Sequence, residues 1–283
     1  MKLILSRKGF DSANGGCPSP ILDGRLCWLP IPDAGAPTSY DQISINKVSI
    51  AKIVEDLTRC RIKRSHGAHL DPDLRRDAIA RIAGWRPIFG QASAAQGHLD
   101  KQEVGPGDLF LFFGSFRRAE SVGGEFRFVP HAPKLHAIFG WLQVARVVAA
   151  TNAVAAELPW ARGHPHLVAP DRFKNNTLYF ASDRLTSIGI EAKGGGIFDQ
   201  LRPEQILTHT EPYAGCSTWT LPLWFNPYGR PALSYHSKPA RWTDCGTSMR
   251  LQSVGRGQEF VLDVDQYPEA RGWLRSIFRG PAH

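Results

Sequence analysis

The chain has 283 residues, of which 42% are apolar, 10% aromatic and 21% charged; this is enough to build a sizeable core and argues against disorder or a fibre. The formal net charge is +8, from 34 Lys and Arg against 26 Asp and Glu, a balance that suits a polyanionic partner. No stretch reaches the roughly 18 uninterrupted apolar residues that a membrane-crossing helix needs.

With 27 Gly and 21 Pro, the chain is rich in turns, and the apolar runs between them are short and carry Val, Ile, Leu, Phe or Trp, which predicts a mainly β protein. Lys2 to Ser6 reads as the first strand. Its cations Arg7 and Lys8 follow the apolar run instead of preceding it, the reverse of a secretory signal, so a cytoplasmic protein is expected. The five cysteines are odd in number and contain no CxxC pair, as expected of reduced thiols. Ser12 to Pro20 is a loop, and Ile45 to Thr58 has helical apolar spacing. Asp71 to Ile82 is predicted to be a helix, with Asp71 as its cap and Pro72 in its first turn. Gln91 to Lys101 reads as a short helix, and a tight turn at 104–108 leads into Leu109-Phe-Leu-Phe-Phe113. That run is apolar on both faces and belongs at the centre of a sheet. Phe126 to Val129 and His136 to Val148 continue it as a meander; Gln258 to Asp263 is the last strand and Pro268 to Phe278 a closing helix. No repeat or linker divides the chain.

Several groups carry chemistry. Arg7, Lys8, Asp11 and Ser12 stand at a strand-to-glycine-loop transition, where cations and backbone N–H groups can cradle a phosphate or a base edge. The alternative is a tight loop with Arg7 or Lys8 paired to Asp11. His66-Gly-Ala-His69-Leu-Asp71-Pro-Asp73 gathers types that bind a divalent metal or move protons, but a helix starting at Asp71 would use both carboxylates at its positive end, and capping is the reading taken. His164-Pro-His166 alternates two imidazoles without a third ligand, so no metal site is assigned. Gln91, Gln96 and His98 precede the central strand, with amides suited to a base edge and an imidazole suited to proton transfer. Gln258 and Glu259 open the last strand after a glycine turn, and His236 sits in a strand-like setting. Trp28, Trp85, Trp141 and Trp224 are candidates for stacking on a flipped base. The roles assigned are catalytic for Asp11, His98 and Glu259, and substrate-binding for Arg7, Lys8, Ser12, Gln91, Gln96, Gln258 and His236.

Val104-Gly-Pro-Gly-Asp108-Leu-Phe-Leu-Phe-Phe113, followed by Ile138-Phe-Gly140-Trp-Leu-Gln-Val144-Ala-Arg-Val147, resembles the core of PUA-like domains of the EVE and ASCH kind. Over most of the chain, Ser6-Arg-Lys-Gly-Phe-Asp11-Ser12, Gly15-Gly16-Cys-Pro-Ser-Pro20, Leu29-Pro-Ile-Pro-Asp33, His69-Leu-Asp71-Pro-Asp73-Leu-Arg75, Phe89-Gly-Gln91, Gln96-Gly-His98, Leu233-Ser-Tyr-His236 and Arg256-Gly-Gln-Glu-Phe-Val261 resemble the nucleotide modification associated domain type 3 family. These resemblances imply a single α+β domain over 1–283, mainly β, with a PUA-like β-barrel core near 104–150, flanking helices and long loops, elaborated by 1–103 and 151–283. They imply a nucleic-acid or nucleotide context and say little about the reaction; the leading expectation is a base-modification protein that leans towards an enzyme of group transfer or hydrolysis, DNA being favoured over RNA, with no membrane partner and no specified cofactor. The alternatives are a non-catalytic reader of modified bases, which predicts an aromatic cage with few perturbed titratable groups, and an enzyme on free nucleotides.

Overall fold

The computed structural model describes residues 1–45, 48–211, 215–255 and 259–279. It is a mixed α+β protein with more strand (35%) than helix (21%). The strands used below are β1 (Lys2–Arg7), β2 (Ser19–Leu22), β3 (Arg25–Leu26), β4 (Ile88–Gln91), β5 (Leu109–Val122), β6 (Glu125–Phe128), β7 (Lys134–Ala149), β8 (Thr177–Ala181), β9 (Gly195–Ile197), β10 (Thr218–Pro222), β11 (Trp242–Asp244), β12 (Ser248–Gln252) and β13 (Glu259–Asp263). The helices are α1 (Ala51–Leu57), α2 (Ser93–Lys101), α3 (Asn152–Glu157), α4 (Pro165–Val168) and α5 (Ala270–Arg279).

A ten-stranded sheet runs in the order β13-β1-β5-β7-β8-β4, with β6, β9 and the β2-β3 pair attached beside it. β1 lies parallel to β5 and antiparallel to β13, so strands from near both ends of the chain are neighbours. β5 is central, as its two-sided apolar run requires. Leu109, Leu111 and Phe113 enter one core, where Trp219, Met249, Leu251, Leu274 and Ile277 meet them from β10, β12 and α5. Phe110 and Phe112 enter the other, with Ile4, Phe89, Phe139, Tyr179 and Val261. The second core lies inside the curl of the sheet and is filled by these rings, so the aromatic interior is a packed core and not a binding chamber. Among the described residues the ladder path ends at β4 and β13. These end strands meet through side chains, the Gln91 amide donating to Glu259 Oε1 at 2.5 Å.

Gly140 sits at a register shift between β5 and β7, and a Cβ there would come within 2.9 Å of the Gly196 carbonyl, so the close approach of β9 requires glycine. The predicted helix over Asp71 to Ile82 is absent. Asp73 instead pairs with Ile88 through both backbone bonds, and its carboxylate takes both arms of Arg81 at 2.6 Å and the Trp85 indole at 3.1 Å. These longer-range bonds use the carboxylate that a helix start would have used. All five cysteines are free thiols.

His136 on β7 is buried against Phe113, and its Nδ1 accepts a hydrogen bond from the Trp219 indole at 3.0 Å. Burial, helped by the charge of Arg7, pushes its pKa down to about 3. A histidine whose folded pKa lies below the free value of about 6.5 contributes its full stability above that value and loses it as pH falls. Between pH 6 and 4, stability should therefore fall by about 1.4 kcal/mol per pH unit more steeply in the native protein than in His136→Gln. Urea unfolding across that range measures the difference, and parallel slopes would refute it.

Candidate functional site

β1 delivers Arg7 and Lys8 to the mouth of a polar cleft. The chain then turns at Gly9, whose φ is +87° and where a Cβ would lie 2.2 Å from the Trp28 indole nitrogen, so no other residue fits. Phe10, wholly buried, anchors the far side of the turn. Asp11 Oδ1 closes the loop by accepting from the backbone N–H groups of Ala13 (2.8 Å) and Asn14 (2.6 Å), while Oδ2 makes no hydrogen bond among the described residues. The cleft has a volume of about 120 Å³ and is lined by Arg7, Lys8, Asp11 and Asn14 on one side, Gly90 and Gln91 from β4, and Ile31, His69, Asp71 and His166 on the other.

His69, Asp71 and His166 offer donor atoms that all lie within 4.8 Å of one another. Each is held from outside. His69 Nδ1 is 2.9 Å from Asp33 Oδ2, and Asp33 also takes the Arg172 guanidinium at 2.8 Å. Burial opposes ionisation of Asp33, but His69, the Gly35 N–H and Arg172 outweigh it and hold the carboxyl below its usual range. Asp71 Oδ1 accepts from the Gly90 N–H (2.7 Å) and from His164 Nε2 (3.1 Å). Despite complete burial, the His164 bond and the surrounding imidazoles hold its pKa at about 2. His166 Nδ1 faces Asn176 Oδ1 at 2.5 Å, and the Asn176 amide orientation is fixed because its NH₂ donates to the carbonyls of His166 and Pro170. Burial pushes His166 down to about 4.

Behind the cleft, Glu259 is 1% exposed and accepts from Lys8 (3.0 Å) and Gln91 through Oε1; Oε2 has no partner among the described residues. Lys8 also sits 4.5 Å from the centre of the Phe89 ring. The structure thus brings Arg7, Lys8, Asp11 and Gln91 to one cleft, with Glu259 joined to it through Lys8 and Gln91. Arg7 is largely committed to structure: it donates to the Val254 and Gly255 carbonyls, and burial pulls its pKa down against the attraction of Asp11.

The other sequence candidates lie elsewhere. His98, on α2, bonds the Ser234 hydroxyl at 2.9 Å and stacks near Tyr235; burial lowers its pKa while Glu259 pulls it upward, but it does not line the cleft. Gln96 is buried and spans Asp100 and the Tyr179 hydroxyl. His236 is fully buried, with one ring nitrogen on the Ser234 carbonyl and the other accepting from the Val254 N–H, a satisfied core histidine held down to about 4 by burial. Ser12 is exposed beside the cleft loop. Gln258 lies outside the described residues.

The sequence reading missed the His69–Asp71–His166 convergence. The first segment was read as a helix cap and the second as two imidazoles without a third partner, and the fold sets His166 of the second beside His69 and Asp71 of the first.

A sequence model of a family described as nucleotide modification associated domain 3 matches residues 2–263, a span that includes every residue of the cleft. No curated protein and no solved structure matches.

Proposed function

The chain belongs to the nucleotide modification associated domain 3 family, and from that premise we propose that it is an enzyme that modifies a nucleobase or nucleotide held in the cleft between Lys8 and His166. The observation that carries this reading is the convergence there of two imidazoles, two carboxylates, two cations and two amides in a small polar volume.

Size and chemistry both favour it. At about 120 Å³ the cleft is well below the ~300–1,000 Å³ of pockets that engulf drug-sized ligands, so it accepts a single heterocycle or phosphate and leaves the rest of the substrate outside. Asp11 Oδ2, the remaining ammonium protons of Lys8 and the Asn14 amide keep hydrogen-bonding capacity for a base edge or a phosphate. The buried carboxylates and imidazoles are groups of the kind used for hydrolysis or group transfer.

A wider groove of about 630 Å³, lined in part by Trp85, Trp141, Arg76, Arg86 and Lys193, runs along the same 71–91 segment and supports a polymeric substrate over a free nucleotide. DNA in the cytoplasm is the substrate this reading favours. The reader alternative is less well supported. It needs an aromatic cage, and the slot beside the stacked Trp28 and Phe139 rings has a volume of about 30 Å³, roughly one water molecule and far less than a base.

The test is nucleoside profiling by mass spectrometry of DNA, RNA and the free nucleotide pool from cells with and without the gene. The expected result is a nucleoside mass in DNA that depends on the gene. Identical profiles in all three fractions would overturn the enzymatic reading.

A further inference from the structure

The hydrogen bonds around the cleft fix where the protons on its histidines sit. Asp33 is a carboxylate and can only accept, so His69 Nδ1 carries a proton and, in the neutral ring, Nε2 is the nitrogen with the lone pair. Asn176 Oδ1 can only accept, because the same amide's NH₂ is committed to two carbonyls, so His166 likewise bears its proton on Nδ1 and a lone pair on Nε2. His164 Nδ1 accepts from the His166 backbone N–H, which leaves its Nε2–H to donate to Asp71 Oδ1 and turns Oδ2 inward. Oδ2 lies 3.9 Å from His166 Nε2. Among the described residues, none of these three inward atoms has a hydrogen-bond partner. With both rings neutral, two imidazole lone pairs and one carboxylate oxygen therefore converge within 4.8 Å of one another, the arrangement of a cation's ligand set.

We propose that His69, Asp71 and His166 form a binding site for one divalent first-row transition-metal ion, with its remaining coordination positions open to the cleft. The donor set decides the class: two nitrogens and one carboxylate oxygen suit zinc, iron(II), cobalt(II) or manganese(II), whereas magnesium and calcium prefer all-oxygen shells. The spacing agrees. Metal–nitrogen bonds of ~2.0–2.1 Å in a tetrahedral site separate the ligand atoms by about 3.3 Å, so the Asp71–His166 gap of 3.9 Å contracts by about half an ångström on binding and no gap, at 4.8 Å or less, by more than about 1.5 Å. The outer contacts are those a metal-bound histidine requires, a carboxylate on one ring and an amide oxygen on the other, each fixing the tautomer that directs Nε2 at the ion. Lys8, Asp11 and Gln91 line the same cleft as these ligands, so a substrate oxygen or a water can reach the open positions.

The inference rests on this cleft being the working site. Its test uses metal alone and so separates the two readings: an unchanged nucleoside profile does not touch metal affinity, and absent metal binding does not touch nucleotide recognition. The full-length chain, stripped with chelator, is titrated with cobalt(II) and followed by visible absorption and calorimetry. One equivalent should bind, with no thiolate charge-transfer band, and millimolar magnesium should not displace it. His69→Gln, Asp71→Asn and His166→Gln should each weaken binding at least ~100-fold, and Asp33→Asn, whose contact with the three proposed ligands is through His69, about 10–100-fold. His209→Ala, on the separate His209–Glu211–Arg250 surface cluster, should leave the affinity unchanged. Near-ultraviolet circular dichroism checks the fold of each variant; should a ligand variant fail to fold, the stoichiometry of the native chain and the effect of Asp33→Asn decide. Binding below 0.1 equivalent, thiolate ligation, displacement by magnesium, or equal affinity in the ligand variants would each overturn the proposal.

Discussion

Lys8→Met is expected to destabilise the protein by about 3–5 kcal/mol, the cost of removing one partner from a buried ion pair. Glu259 is 1% exposed and the Lys8 side chain 10%, so truncating the lysine leaves a carboxylate that water cannot reach. Gln91 remains as a neutral donor and cannot replace the charge. The double variant Lys8→Met with Glu259→Leu should recover much of the loss, since a well-packed apolar pair in place of a buried ion pair is often neutral or better. Denaturant unfolding of the two single variants and the double variant separates the contributions, and a loss below about 1 kcal/mol for Lys8→Met would show that the pair is solvated in solution.

Gly90→Ala should disrupt the cleft from a position that makes no side-chain contact of its own. A Cβ on Gly90 would lie 2.3 Å from His166 Cδ2 and 2.5 Å from Cγ. Neither side can yield easily. The His166 ring is stacked on Phe173 at 5.0 Å, packed edgewise on His69 at 5.4 Å and bonded to Asn176. β4 cannot withdraw either, because the Gly90 N–H donates to Asp71. The backbone angle at Gly90 is an ordinary one, so the constraint is one of space alone. Overpacking of this kind costs about 1–3 kcal/mol. The expected result is a lower melting temperature together with loss of the His166 Nδ1–H resonance hydrogen-bonded to Asn176 in NMR spectra; retention of that resonance would count against the argument.

Much of the framework was readable from periodicity. Leu109 to Phe113 declared its central place because every residue is apolar, and Ile53, Val54 and Leu57 marked α1 by their spacing, although the stretch read as helix began at Ile45 and Val48–Ser49 instead pairs with Ser44–Ile45 ahead of the helix. The strand read over Lys2 to Ser6 is β1, and the cations expected just after it, Arg7 and Lys8, line one side of the cleft. Asp71 to Ile82 failed because Asp-Pro followed by spaced apolar residues satisfies the local rules for a helix start. The bonds that override them come from Ile88 and Trp85, and a local pattern does not contain them. The opposite wall failed for a related reason: Asp71 and His164 are 93 positions apart, and only the sheet order that sets β4 beside β8 brings α4 over β4. His98 and His236 lie away from the cleft. Their residue types suggested chemistry, while the fold uses them to satisfy backbone and hydroxyl groups.

Because β13 docks on β1 and carries Glu259, the carboxylate behind Lys8 and Gln91 is among the last parts of the domain to leave the ribosome. A chain lacking β13 also lacks the anion that neutralises Lys8, so the cleft takes its final charge only when strands from opposite ends of the domain are paired.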